Sequence, residues 1–291
     1  MSILGTFRAH RSLAKTNLEH GLRHVNDLYW GALAATQFAS DRRHISQVAT
    51  FVASDPTFRR QGRLQRENLP ALMRNTQDEL PRTGIIILFS YFEPYLRDLS
   101  LSAILSNPSV LVASLAGVDG EDVAKNAAYL ALIELLSSRT VDDWLKGTYV
   151  DRFASLRKVL GLPITTTHPF VRTIDEYYAK RNCMLHRDGF IDERAKRHFR
   201  NDERNQIGTR VVANWSDYLS LHRAVHDVAD RIDRYVMENH IRNAEVLRVI
   251  YRLNREHPDW LAKDVTRELF DMGLGLISRK TLAQLLEVRE G

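Results

Sequence analysis

The chain has 291 residues, of which 44% are hydrophobic, and its 41 cationic and 36 anionic side chains give a formal net charge of +5. A chain of this length and composition can bury a full hydrophobic core, which excludes a largely disordered protein. The mild positive charge permits a polyanionic partner such as RNA but does not require one. A single cysteine, Cys183, excludes an internal disulfide and a cysteine-based zinc site, and it fits a reducing compartment.

The sequence shows no targeting or membrane signal. No uncharged apolar run approaches the length needed to cross a bilayer, and the N-terminal residues lack the apolar core of a signal peptide. We therefore expect a soluble cytoplasmic protein without a membrane anchor.

Apolar residues recur at spacings of three and four, which predicts an all-α protein. A long helix is predicted over residues 13–38, followed by a polar, arginine-rich segment over 40–69 that forms a loop or a short exposed helix. A second long helix is predicted over 72–105, apolar on nearly all sides at its centre, as expected of a central helix. Pro94 should bend this helix or mark a break in it.

Three further helices are predicted over residues 119–136, 141–160 and 169–186. The last has the clearest boundaries, because Thr167 or His168 can cap it, Pro169 stands at its first position and Gly189 follows its end.

A helix over residues 214–237 completes the main domain, which we assign to residues 1–240 with a core of about 72–237. Residues 241–291 form a smaller helical appendage, and residues 260–288 faintly resemble a helix-turn-helix. Nearly balanced charge makes this appendage a poor DNA-binding module, so packing on the core or binding a partner is the favoured interpretation.

The helix over residues 169–186 carries the candidate chemistry. One face of it is apolar, formed by Phe170, Val171, Ile174, Tyr177, Tyr178 and Leu185. Arg181 falls inside that face, and an arginine there must meet a carboxylate or face a cleft that binds an anion. Glu93, in the middle of the central apolar helix, is the candidate carboxylate.

Asn182 and His186 lie four residues apart along the edge of that face, with Asp175 in the same row. A guanidinium, an amide and an imidazole on one patch can bind a phosphodiester and move protons about it. Because RNA supplies its own 2′-hydroxyl nucleophile, such a site needs no metal or cofactor. The sequence likewise contains no metalloprotease motif, no aspartate-rich metal loop and no Walker-type glycine loop.

Residues 181–186, RNCMLH, resemble the Arg-x4-His motif of the HEPN ribonuclease superfamily, which usually has a polar residue directly after the arginine. Residues 89–99, FSYFEPYLRDL, resemble the first core helix of HEPN families found in prokaryotic defence and toxin–antitoxin loci. A second Arg-x4-His pair, Arg252 to His257, lacks these accompanying features. The resemblance covers roughly residues 72–237.

The resemblance implies a helical bundle that forms a homodimer through the motif helix and cuts RNA without metal, leaving a 2′,3′-cyclic phosphate. His186 would move the proton, Arg181 would hold the scissile phosphate, and Asn182 would orient one of them. Glu93, Asp175 and Tyr178 are supporting residues. Some antitoxin-controlled relatives carry a tyrosine two residues after the histidine, where this chain has Asp188, so control by modifying that tyrosine is not supported.

Two cationic segments are candidates for contacts with the RNA backbone. The candidate contact residues are Arg59, Arg60, Arg63, Arg197 and Arg200. Each segment also has a plain interpretation as a solvated surface.

The predicted function is that of an RNA-cutting toxin or phage-defence protein with a restraining antitoxin or defence partner. One alternative is a non-catalytic HEPN-type binding or assembly module in which internal contacts engage Arg181. A less favoured one is a DNA-binding regulator that uses Arg279 and Lys280.

Overall fold

The fold is all-α in the part of the chain that the computed structural model describes, namely residues 11–41, 44–54, 69–107, 110, 129–199, 204–274 and 282. This part contains ten α-helices: α1 (Leu13–Ser40), α2 (Ile45–Ser54), α3 (Leu69–Ser106), α4 (Tyr129–Trp144), α5 (Tyr149–Leu160), α6 (Pro169–His186), α7 (Glu193–Lys196), α8 (Trp215–Val236), α9 (Ala244–Glu256) and α10 (Ala262–Asp271). A π-helical turn, Met237–Ile241, follows α8. The same residues contain no β-strand, so the all-α prediction is confirmed.

Helices α1, α3, α6 and α8 lie within three residues of their predicted bounds. Helix α2 is the short helix that the sequence allowed within residues 40–69, and α9 and α10 are the short helices of the C-terminal segment. Residues 55–68 and 275–281 lie outside the described part of the chain, and with them the arginine-rich segment over 58–66 and the second half of the suggested helix-turn-helix.

The boundary between α4 and α5 differs from the predicted one. The prediction ended one helix at residue 136 and began the next at 141, whereas α4 continues to Trp144 and α5 begins at Tyr149. Gly147 has a positive φ of 82°, and the Thr148 hydroxyl accepts a hydrogen bond from the Asp151 N–H at 3.2 Å. This capping box starts α5, and the glycine supplies the left-handed turn before it.

Of the two effects predicted for Pro94, the break is wrong, because α3 runs through this residue without interruption, and the bend stays a prediction. Proline removes one backbone hydrogen bond from the helix. The neighbouring side chains of Phe92, Tyr95 and Leu96 are all buried, and their burial stabilises the helical path against that loss.

The chain divides into two compact units, and the division falls inside α1, α3, α6 and α8. The first unit comprises residues 1–19, 92–172 and 225–291, and the second comprises residues 20–91 and 173–224.

The first unit has an aromatic and aliphatic core. The ring of Phe92 stacks on that of Tyr149 with centroids 5.6 Å apart, and the Tyr95 hydroxyl donates to the Ala229 carbonyl at 3.0 Å. A separate apolar cluster holds the C-terminal helices together; its buried members are Val246, Val249, Ile250, Leu253, Val265, Leu269, Leu274 and Leu282. This cluster gives the C-terminal segment an apolar core of its own.

The second unit packs α1 closely against α3. A Cβ atom added to Gly21 would lie 2.2 Å from the Tyr91 ring, so only glycine permits this approach. Further along α1, the Tyr29 ring stacks on Tyr218 at 5.1 Å and on Trp215 at 4.6 Å. These rings join α1 to the start of α8.

A buried polar network in the first unit centres on Asp233, which is 3% exposed. The Ser12 hydroxyl and the Ser12 N–H both donate to its carboxylate. Burial raises the pKa of the Asp233 carboxyl to about 6; the charge of Glu245 adds to this, while the Ser12 hydrogen bonds and the charge of Lys15 oppose it. The ionised carboxylate is therefore costly in the folded state.

The free energy of unfolding should fall as the pH rises from about 4 to about 6, because over this range the folded protein keeps the Asp233 proton that the unfolded chain releases. The loss should be roughly 3 kcal/mol and should level off above pH 6. In Asp233→Asn the amide is neutral at every pH, so this part of the pH dependence should disappear. Urea unfolding of both proteins between pH 4 and pH 8 measures the difference, and parallel pH profiles would refute this assignment.

Within the described residues, no helix is both long enough and apolar enough to cross a membrane.

Candidate active site on the motif helix

Helix α6, the motif helix, begins and ends where the sequence predicts. At its start the ring Nδ1 of His168 lies 3.3 Å from the Phe170 N–H and can accept from it, so His168 is the cap. After its end, Gly189 takes a positive φ of 84°, and its N–H donates to the Cys183 carbonyl at 3.0 Å. Pro169 stands at the first helical position, where its missing N–H costs nothing.

The predicted apolar face of the motif helix is buried along most of its length. Val171, Ile174 and Tyr177 are buried, while Leu185 near the C-terminal end remains 44% exposed. On another side of the helix, Cys183 packs in an apolar cluster with Ala179, Ile191, Ala195, Phe199 and Val211. Cys183 thus packs as a small apolar side chain, and burial raises the pKa of its thiol.

Arg181 and Asn182 form a pair. Arg181 Nη1 donates to Asn182 Oδ1 at 3.1 Å, and the guanidinium lies 5.9 Å from the centroid of the Tyr178 ring. Tyr178 itself lies beside Phe89 of α3, with ring centroids 5.7 Å apart. Arg181, Asn182 and Tyr178 are all half-buried, so the guanidinium is oriented by an amide and an aromatic ring rather than free in solvent.

His186 is the last residue of the motif helix, and its side chain is exposed. Within the described chain its ring makes no hydrogen bond and no ion pair. Both ring nitrogens are therefore available to a ligand from solvent, as a general acid or base requires.

Asp175 is buried, and its carboxylate lies 3.1 Å from the ring Nδ1 of His198. The sequence predicts Asp175 in one row with Asn182 and His186 but does not indicate that His198 is its partner. A buried carboxylate of this kind orients the imidazole that it contacts. His198 lies beyond the end of the motif helix and after α7, so spacing along the motif helix could not relate it to Asp175.

Glu93 pairs with a cation in the first unit. Its Oε1 atom accepts from Arg152 Nη1 at 3.2 Å, and the Arg152 guanidinium also lies 4.6 Å from the Tyr149 ring centroid. Arg152 thus meets the need of the Glu93 carboxylate for a cationic partner. The suggested pairing of Glu93 with Arg181 stays a prediction.

Backbone hydrogen bonds join the residues after His186 to residues 209–211. The Ile191 N–H donates to the Thr209 carbonyl at 3.0 Å, and the Val211 N–H donates to the Gly189 carbonyl at 2.8 Å. Between these bonds, Phe190 and Arg210 form an isolated antiparallel bridge. The end of the motif helix therefore leads into a fixed backbone.

Two arginines, neither of which was singled out from the sequence, lie next to these backbone hydrogen bonds. A Cβ atom added to Gly189 would lie 2.7 Å from Arg82 Nη2 and 3.9 Å from Arg210 Cγ, so both side chains approach the glycine. Arg82 belongs to α3 and is far from Arg210 in sequence, which is why spacing alone could not relate them.

Asp217 anchors the motif helix within the second unit. Its carboxylate accepts from the Tyr177 hydroxyl at 2.8 Å, from the Asn214 N–H at 2.7 Å and from the Arg204 guanidinium at 3.3 Å. Burial is the main cause that raises the pKa of the Tyr177 hydroxyl well above its ordinary value, and the hydrogen bond to Asp217 adds to it. The Asn214-x-x-Asp217 spacing at the start of α8 is the sequence signal that was available for this site.

Of the five candidate backbone-contact residues, Arg197 is exposed on the surface next to α7. The other four, Arg59, Arg60, Arg63 and Arg200, lie outside the described residues.

One group of potential metal ligands occurs among the described residues, formed by Glu19, His226 and Asp230 within 4.8 Å of one another. It is in the first unit and shares no residue with the motif helix. Lys15 Nζ lies 2.5 Å from Asp230 and 3.4 Å from Glu19, so a buried ammonium already balances these carboxylates.

The motif helix thus has the exposed His186 imidazole at its C-terminal end. The Arg181 guanidinium, which donates a hydrogen bond to the Asn182 amide, precedes it on the same helix. These groups can exchange a proton and stabilise a phosphate's negative charge, respectively. Comparisons with protein-family models, curated proteins and solved structures found no match to this chain.

Proposed function

We propose that this protein is a metal-independent endoribonuclease of the HEPN type, with Arg181, Asn182 and His186 as its catalytic residues. The observation that carries the proposal is the exposed His186 ring, which has no partner among the described residues, on the same helix as the Arg181 guanidinium that Asn182 holds at 3.1 Å. The type of reaction, RNA cleavage without a metal ion, is inferred from the resemblance of residues 181–186 and 89–99 to the HEPN superfamily.

In the proposed reaction, the His186 imidazole removes the proton of the 2′-hydroxyl, and the 2′-oxygen attacks the adjacent phosphorus. A new O2′–P bond forms and the P–O5′ bond breaks. The departing 5′-oxygen takes a proton from an imidazolium or from water. The products are a 2′,3′-cyclic phosphate and a free 5′-hydroxyl, while Arg181 stabilises the charge on the non-bridging oxygens.

The proposal includes a homodimer in which two motif helices face each other and build one cleft. Leu185, one residue before His186, is 44% exposed, so this end of the helix has an apolar side chain available for such a contact. We place the activity in the cytoplasm, in a toxin or phage-defence role with a restraining antitoxin or defence partner.

The second candidate function is a non-catalytic binding or assembly module built on the same helix. It is favoured by the half-buried state of Arg181, whose guanidinium contacts Asn182 and Tyr178 within the protein. In such a module Arg181 is structural, and His186 is a surface residue at a helix end.

Incubating the purified protein with total RNA and with transfer RNA in EDTA distinguishes the two functions. The ribonuclease proposal predicts cutting that EDTA does not inhibit, with 2′,3′-cyclic phosphate at the new 3′ ends. Intact RNA, or cutting that needs a divalent cation, would favour the binding module.

A further inference from the structure

Phe190 lies exposed on a backbone that is held on both sides. Its neighbours Gly189 and Ile191 are bonded to Val211 and Thr209, and its own N–H donates to the Arg187 carbonyl at 2.8 Å. Its side chain is nevertheless 46% exposed. Because the backbone on both sides is hydrogen-bonded, the ring is held at a fixed place on the surface, where a ligand from solvent can reach it.

Arg210 adds a cation to this ring. Its guanidinium lies 5.4 Å from the centroid of the Phe190 ring, directly across the antiparallel bridge. Among the described residues Arg210 makes no ion pair with a carboxylate, and its side chain is exposed. A flat ring with a guanidinium over one face can stack a base on its other face, and the guanidinium supplies a charge for a phosphate.

Arg82 brings further positive charge to the same place. Its Nη2 atom occupies the space next to Gly189, and its side chain is 17% exposed. The Arg82 Nη1 atom pairs with Glu79 at 2.6 Å, while its buried Nε atom has no hydrogen-bond partner within the described part of the chain. Arg82 thus holds a guanidinium beside the turn that positions the ring.

Phe190 and Arg210 together make a platform close to the candidate catalytic histidine. Phe190 follows His186 by four residues, and the turn between them is closed by the bond from Phe190 to Arg187. A strand whose phosphate reached His186 would therefore place a neighbouring nucleotide near the platform.

We infer that Phe190 and Arg210 form a stacking subsite for an unpaired base of a single-stranded RNA, next to the phosphate that the protein cuts. The base stacks on the Phe190 ring, and the Arg210 guanidinium contacts the adjoining phosphate. This inference rests on the proposed ribonuclease function for the position of the cut. It assigns the recognition of single-stranded substrate to residues outside the Arg-x4-His motif.

An RNA ligand fits this surface better than a protein partner does. An exposed ring paired with a cation that lacks a carboxylate is the arrangement on which proteins stack bases. A protein partner would need a carboxylate placed opposite Arg210, whereas every nucleotide of an RNA carries a phosphate beside its base.

Binding of a short, single-stranded 2′-O-methyl oligonucleotide containing 2-aminopurine tests the inference, because blocked 2′-oxygens prevent cutting and stacking quenches the fluorescence. The wild-type full chain should bind and quench it. Phe190→Ala should weaken binding roughly tenfold and lose the quenching, whereas Phe190→Trp should keep both. Phe38→Ala is the matched control, since Phe38 is 52% exposed and stacks on His44 in the same unit; it should bind as the wild type does.

Equal binding by wild type and Phe190→Ala, or no binding by the wild type, would overturn the inference. Light scattering of the same samples shows whether Phe190 lies in a protein interface instead. If Phe190→Ala loses RNA binding and also converts from a dimer to a monomer, the inference is overturned in favour of an interface.

The outcomes for the stacking subsite and for the ribonuclease can be told apart. RNA cutting that is unchanged in Phe190→Ala would leave the ribonuclease intact without this subsite. Phe190-dependent binding by a protein that cuts no RNA would support the subsite and reject the ribonuclease.

Discussion

Replacing His186 with alanine should lower kcat for RNA cleavage about a thousandfold, because the reaction would lose its positioned proton carrier. The affinity for RNA should change little, since the phosphate contacts belong to other residues. His186 is exposed at the end of α6, and its ring has no partner among the described residues, so the variant should fold normally. Single-turnover cleavage rates and thermal unfolding of both proteins measure the two effects.

The chain supplies a matched control for this substitution. His257 ends a second Arg-x4-His pair and, like His186, stands at the C-terminal end of a helix, where it stacks on Trp260 with ring centroids 4.1 Å apart. His257→Ala should cut RNA at the wild-type rate. Equal rates for His186→Ala and the wild type would remove His186 from the mechanism, and equal losses in both variants would indicate damage to the fold.

Replacing Asp217 with alanine should lower the free energy of unfolding by about 3 kcal/mol. The change leaves the buried Tyr177 hydroxyl and the Asn214 N–H without this acceptor and removes a partner of Arg204. RNA cleavage should fall with it, because Tyr177 belongs to the motif helix. Urea unfolding followed by circular dichroism measures the stability.

Asp227→Ala is the comparison for this second substitution. Asp227 also lies on α8 and also pairs with an arginine, Arg231 at 2.7 Å, but its side chain is 33% exposed, against 7% for Asp217. A surface pair of this kind contributes less than about 1 kcal/mol. If Asp217→Ala were no more destabilising than Asp227→Ala, Asp217 would not be the anchor described above.

The motif helix could be predicted residue by residue because its boundaries depend on local interactions. Pro169 and Gly189 act through their own backbone preferences, and His168 caps the residue two positions on. Such signals lie within one turn of the helix end, where a sequence displays them directly. The boundary at Gly147 and Thr148 is equally local and was open to the same reasoning.

The surroundings of the site could not be predicted in this way. Arg82 reaches Gly189 from α3, and His198 contacts Asp175 from beyond the helix. These contacts depend on how helices distant in sequence pack, and side-chain spacing along one helix does not contain that information. The continuity of α3 through Pro94 has the same origin, because buried neighbours rather than local preference stabilise that part of the helix.

The central claim is that the 2′-hydroxyl of the RNA is the nucleophile at a site on the motif helix. Its most direct test compares, in EDTA, two oligonucleotides that span one mapped cut and differ only in a 2′-deoxy substitution at the nucleotide before that cut. We predict that the protein cuts the all-ribose oligonucleotide there and leaves the substituted one intact at that position. Equal cutting of both oligonucleotides, or cutting of neither, would contradict the claim.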